Sequence, residues 1–93
     1  MPKFTYPVVF IMNKEAGEYY SFVPDLGIVA DGKTMEEAYN EIDEIFYGYF
    51  KIALKHDVEI PTPTSLDDIT KKWKDYKVSL ITANLPDEDT DKK

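Results

Sequence analysis

The sequence predicts an α+β domain: a small, mostly antiparallel sheet with one long helix on one face, in β-β-β-α-(short α)-β order. Three observations carry that prediction. From Thr34 to His56, Met35, Ala38, Tyr39, Ile42, Ile45, Phe46, Tyr49, Phe50 and Ala53 recur at steps of three and four, the spacing of one helix face. Ahead of that stretch, short β-type runs are separated by turns containing Gly, Pro, Asn or Asp. Behind it, a proline-bearing passage leads to one more alternating segment.

The first strand is Phe4 to Met12, with Tyr6, Val8, Phe10 and Met12 on one side and Val9 and Ile11 on the other. Both faces are apolar, more than a sheet with one solvent face requires. Pro7 lacks a backbone donor, so it belongs where no neighbouring strand needs that N–H. Asn13 to Gly17 reads as a turn, and Glu18 to Val23 returns as the second strand of an antiparallel hairpin. Pro24 and Asp25 end it. Leu26 to Asp31 forms a third short strand, and Gly32 and Lys33 turn the chain towards the helix.

Thr34 is placed to cap that helix, its hydroxyl accepting from an otherwise unpaired N–H, and Glu37 three residues on suggests a capping box. Glu36 and Glu37 at the start and Lys51, Lys55 and His56 near the end follow the favourable sign order along the helix dipole. Gly48 lowers helix stability by roughly 1 kcal/mol relative to alanine.

After the helix, Pro61-Thr62-Pro63 forces an extended path. Ser65, followed by Asp67 and Asp68, caps one or two further helical turns. Lys74 to Thr82 is the last strand, with Tyr76, Val78 and Leu80 opposite Lys77 and Ser79, and is expected beside the hairpin. Periodicity ends at Ala83, which sets the domain at residues 1–82 and leaves 83–93 as a flexible acidic tail.

A chain of 93 residues buries a modest fraction of its surface and often gains stability from a partner. It has no cysteine, which fits a cytoplasmic protein, and nothing in it resembles a signal peptide or a bilayer-spanning run. Eighteen acidic residues against eleven lysines, with no arginine, give a formal charge of -7. That excess opposes phosphate backbones and suits a basic partner. The missing arginine also removes the best bidentate reader of guanine or phosphate.

No constellation points to catalysis, a cofactor or a metal. His56 is a lone imidazole at a helix end, and glycines 17, 27, 32 and 48 match neither a phosphate-binding loop nor a dinucleotide fingerprint. Ser21, Ser65 and Ser79 have no neighbouring base in sequence, and Ser65 is already a cap. A carboxylate–metal enzyme would need Asp25, Asp31, Glu36, Glu37, Glu41, Asp43 and Glu44 to converge on one point, whereas spacing along a helix exterior is that of solvated acids. The sequence therefore reads as a binding protein.

Two surfaces are candidates. One helix covers one side of a sheet, so Val9 and Ile11, with Tyr20 and Phe22 of the second strand, are expected on an uncovered apolar face that serves a homodimer, the alternative being that the final strand or the short second helix folds over it. Tyr47 departs from the helix's apolar stripe and offers a large ring with a hydroxyl suited to an interface rim.

The string Phe22-Val-Pro-Asp-Leu-Gly27, then Asp31-Gly-Lys-Thr-Met-Glu-Glu-Ala-Tyr-Asn-Glu-Ile42, then Ile60-Pro-Thr-Pro-Thr-Ser65, resembles the HicB family of bacterial antitoxins. Pro24-Asp25-Leu26, Gly32, Thr34, Glu36-Glu37-Ala38, Pro61 and Pro63 carry the likeness, which spans approximately residues 4 to 82. Gly27-Ile28-Val29 departs from the proline-glycine-cysteine common after the Pro-Asp-Leu of the family. The resemblance implies a partial ribonuclease-H-like fold without nuclease activity. It also implies a tendency to homo-oligomerise, and a partner, the small basic HicA toxin that cleaves messenger RNA. Many members add a C-terminal DNA-binding module; no such pattern follows the fourth strand here, and direct nucleic-acid binding is not expected. On this reading Glu36, Glu37, Glu41 and Glu44 face the toxin's lysines and arginines, with Tyr47 beside them. The alternative is an orphan structural or regulatory domain, distinguished by whether the neighbouring reading frame encodes a short basic protein.

Overall fold

The first strand is the one whose two faces are both apolar, and the chain folds around it. A computed structural model, describing residues 2–85, has the order β1 (Lys3–Asn13), β2 (Glu18–Val23), β3 (Ile28–Gly32), α1 (Met35–Lys55), α2 (Leu66–Lys72) and β4 (Lys77–Asn84). The sheet runs β3-β2-β1-β4, and every adjacent pair is antiparallel. The fourth strand thus sits beside the hairpin, as expected. Pro7 lies outside the register with β2, which begins at Val9↔Phe22.

The turns close as their residues dictate. Asn13 Oδ1 accepts from the N–H groups of Glu15 (3.1 Å) and Ala16 (3.2 Å), which leads β1 into β2. After β2, the N–H groups of Leu26 and Gly27 both donate to Val23 O, and Gly27 takes a φ of 71° that a side chain would resist. Gly32 serves a different need. A Cβ there would lie 2.6 Å from Ala38 N, so its absence lets β3 meet the first turn of α1.

Thr34 Oγ1 accepts from Glu37 N (3.1 Å), and Glu37 Oε1 accepts from Lys33 N (2.9 Å), a box closed one residue ahead of the cap itself. Ser21, buried on β2, donates to Ala38 O at 2.8 Å and ties the helix to the sheet. Ala38, Ile42, Phe46, Phe50 and Ala53 are the buried helix positions. Beneath Ile42, Phe46 and Phe50 lie Tyr6, Val8 and Phe10 of β1, Val23 of β2, and Ile81 and Ala83 of β4. Phe46 and Phe50 meet edge to face at 4.9 Å, and Phe4 stacks on Phe50 at 4.2 Å. Ile45, on the stripe expected to be buried, is 41% exposed at its margin.

The opposite face is not left open. Ser65 Oγ accepts from Asp68 N (3.1 Å), and the short helix it caps lies against β1 and β4. There Ile69 is buried, and Trp73 sets its ring edge against Phe22 at 5.0 Å. Val9 is consequently inaccessible, which corrects its assignment to an uncovered dimer face: the second helix, not a second chain, occupies that side. The end of the domain also moves. Residues 83 and 84 continue β4, Ala83 is buried under α1, and buried Leu85 donates its N–H to Pro2 O (3.0 Å). The rest of the expected tail lies outside the described residues.

Helix α1 ends with Asp57 at φ 58°, while Val58 N donates to Ala53 O (2.9 Å), a left-handed closure usually made by glycine. Asp57→Gly should therefore raise stability by about 0.5–1 kcal/mol, read as a higher denaturation midpoint at unchanged slope.

Candidate partner-binding surface

The charge pattern of α1 follows from its amphipathic spacing: what does not face Tyr6, Val8 and Phe10 faces water. Glu36, Glu37, Glu41 and Glu44 are all exposed along the first half of the helix, and Tyr47 stands beyond them, 36% exposed. The helix brings these five expected partner-binding residues onto its outer side. Glu37 is partly engaged by its bond to Lys33 N, and Glu36 borders a shallow cleft floored by Phe10, Met35 and Tyr39, with Lys77 across it.

The expected sheet-face set divides. Val9 is sealed in, Phe22 is half-buried under Trp73, and Ile11 and Tyr20 are half-buried, the Tyr20 hydroxyl donating to Glu18 Oε1 at 3.2 Å. Register aligns Val29, Phe22, Val9 and Val78 in one row across all four strands. Its middle lies under α2, and Val29 at the β3 edge remains 61% exposed, as does Leu80 on β4 at 46%. Neither was singled out from the sequence, because alternation alone does not say which strand stands at an edge.

A polar junction holds these surfaces in their relative positions. The Asp25 carboxylate accepts from Thr64 N (2.8 Å) through Oδ2 and from Thr64 Oγ1 (2.6 Å) through Oδ1, so it clasps the passage between the helices to the β2–β3 turn. The Tyr6 hydroxyl donates to Pro61 O in the same passage. Burial, first, and then the nearby Tyr49 and Asp25 raise the Tyr6 phenol above its ordinary value. The Pro-Asp-Leu and Ile-Pro-Thr-Pro-Thr-Ser segments, distant in sequence, thus meet in one hydrogen-bonded junction.

The family model described as HicB_like antitoxin of bacterial toxin-antitoxin system matches residues 6–91. The chain belongs to this family. Among solved structures, the crystal structure of the N-terminal domain of Burkholderia pseudomallei antitoxin HicB aligns with a TM-score of 0.76, covering 88% of this chain and 100% of that one at 17% identity. At that identity the likeness speaks to the fold, which agrees with the β-β-β-α-α-β order and the antiparallel sheet. Among curated proteins none is significantly similar. As a HicB-type antitoxin domain the chain is a binding protein and not an enzyme. Among the described residues no group of three or more His, Cys, Asp or Glu is placed to hold a metal, and no helix is long and apolar enough to cross a membrane.

Two outcomes follow for the junction. Asp25→Ala strands two donors of Thr64 and should cost about 1–3 kcal/mol, with faster hydrogen exchange at the Thr64 amide. Because the folded Tyr6 phenol ionises above its ordinary 10.0, the unfolded chain binds fewer protons between the two values. Its share of stability is therefore constant below pH 10.0 and falls as pH rises through that window. Tyr6→Phe should cost about 0.5–1.5 kcal/mol at neutral pH and flatten that part of the alkaline decline in urea titrations.

Proposed function

We propose that this HicB-type domain neutralises a small, basic, mRNA-cleaving toxin of the HicA type by docking it on the outer side of α1, in the cytoplasm where such a toxin acts. The observation that carries the reading is the run of four exposed carboxylates on one half of α1, in a chain of formal charge -7 that belongs to an antitoxin family. A ribonuclease that holds phosphates presents lysines and arginines. Glu36, Glu37, Glu41 and Glu44 supply competing negative charge for those cations, while Tyr47 contributes ring area and a hydroxyl at the rim. Charge complementarity speeds encounter and selects the partner; apolar contact around Tyr47 and the cleft beside Glu36 lengthens the bound state.

Calorimetry against a short basic HicA-type protein, taken from the neighbouring reading frame if one encodes such a protein, tests the reading. Binding is expected, with an association rate that falls steeply as salt rises. Glu36→Lys should slow association about tenfold, and Tyr47→Ala should act mainly on dissociation. No heat and no co-purification would end the proposal.

A further inference from the structure

The two edges of the sheet are guarded differently. At one edge β3 has five residues and carries Asp31 beside Gly32, and a short, charged strand resists pairing with another chain. At the other, β4 has eight residues, no proline and a single charge, Lys77, at its start. Among the described residues no strand pairs with the outer side of β4.

Register decides which backbone groups that side offers. Leu85 N donates to Pro2 O, and these two residues stand opposite each other when the Lys3↔Asn84 pairing is carried one step on. Bonded and non-bonded pairs alternate along an antiparallel ladder. Counting in from Leu85, the bonded partners of β1 are Ala83, Ile81, Ser79 and Lys77. Pro7, which has no N–H to give, falls opposite Leu80 in a non-bonded pair, in agreement with that phase. Val78, Leu80 and Thr82 therefore turn their N–H and C=O groups away from β1, towards the open edge.

Apolar surface flanks this edge on both faces. Leu80, 46% exposed, shares the α2 face with Val78 and Val9, whereas Ser79 lies on the α1 face with Ile81. Ser79 and Lys77 also line the cleft floored by Phe10, Met35 and Tyr39, with Glu36 at its border. We propose that β4 accepts an added strand from the basic toxin. The backbone of an extended toxin segment pairs with Val78, Leu80 and Thr82, and its alternate side chains lie on Leu80 and in the cleft. Such a segment carries an apolar residue for the cleft and a lysine or arginine for Glu36. The partner's identity rests on the toxin-docking reading above; its strand pairing with β4 is new to that reading. A second copy is the poorer occupant, since it brings a formal charge of -7 to a chain of the same charge and its own β4 has one cation, at the strand's end.

Amide hydrogen exchange, read by NMR on the full chain alone and saturated with the HicA-type protein, tests this. The Leu80 and Thr82 amides should exchange fast in the free chain and at least about tenfold more slowly in the complex. Leu80→Pro removes an outward N–H without taking a ladder bond, so it should weaken toxin binding about tenfold while the Ser79 and Ile81 amides keep their protection. Should that variant fail to fold, the exchange measured on the wild type still decides. Toxin binding with Leu80 and Thr82 exchange unchanged overturns the strand addition and leaves docking on α1 standing. No toxin binding at all overturns both. Protection of these two amides in the free chain that grows with its concentration assigns the edge to a second copy and also overturns the proposal.

Discussion

The clasp between Asp25 and Thr64 is the constraint on which the arrangement of the domain depends. Helix α1 would cover its side of the sheet on packing alone, because Ile42, Phe46 and Phe50 have Tyr6, Val8 and Ile81 beneath them. After His56 the apolar guidance is thinner, with Ile60 packed against the same core. The passage through Pro61 and Pro63 has no regular hydrogen bonds of its own, and it must carry Ser65 around to the far face. Two bonds from one carboxylate, plus the Tyr6 hydroxyl on Pro61 O, fix where that passage crosses the turn after β2. Once it is fixed, α2 is delivered onto β1 and β4, Trp73 meets Phe22 of β2, and the sheet acquires its second cover. A short helix with one fully buried residue contributes little by itself; it is held by its tether as much as by its contacts.

That dependence explains which parts of the fold were legible beforehand. Both helix caps, the β1–β2 turn and the bounds of β2 follow from local chemistry, and Thr34, Ser65, Asn13 and Gly17 behave in the structure as their residue types require. What could not be read is what depends on distant neighbours. Val9 is apolar whether a second chain or α2 covers it, and only the path set by Asp25 decides between them. The last strand shows the same limit. Tyr76, Val78 and Leu80 alternate cleanly, yet the buried positions are Ile81 and Ala83 on the other parity, and the strand runs on to Asn84. Both faces of β4 carry apolar residues, and pattern cannot choose between two filled faces.

The candidate surface divides along similar lines. Four glutamates at exterior helix positions are visible in any helical projection, and their exposure needed only the helix to form. The role of Asp25 was not visible: its partner is 39 residues away, and its reading as a strand terminator was sufficient locally. The family likeness names both segments without giving a reason for their joint presence. The junction supplies one, since the Pro-Asp-Leu turn offers the acceptor and the Pro-Thr-Ser exit offers the donors.

Helix α1 is then asked to present three faces at once, and its composition shows the compromise. The face towards the sheet is aromatic and tightly packed, the outer face is acidic at its start, and the flank holding Ile45 and Ile52 is apolar with charges segregated by sign. A helix selected only for its own stability would place alanine at 48 and interleave Glu and Lys at i, i+4, gaining a few tenths of a kcal/mol for each such pair. This helix does neither. Glycine at its midpoint weakens the isolated helix, the acids at its start and lysines at its end suit its dipole, and the aromatic core formed by Phe46 and Phe50 offsets the loss at Gly48. The stability of α1 is therefore set by the sheet beneath it more than by its own composition.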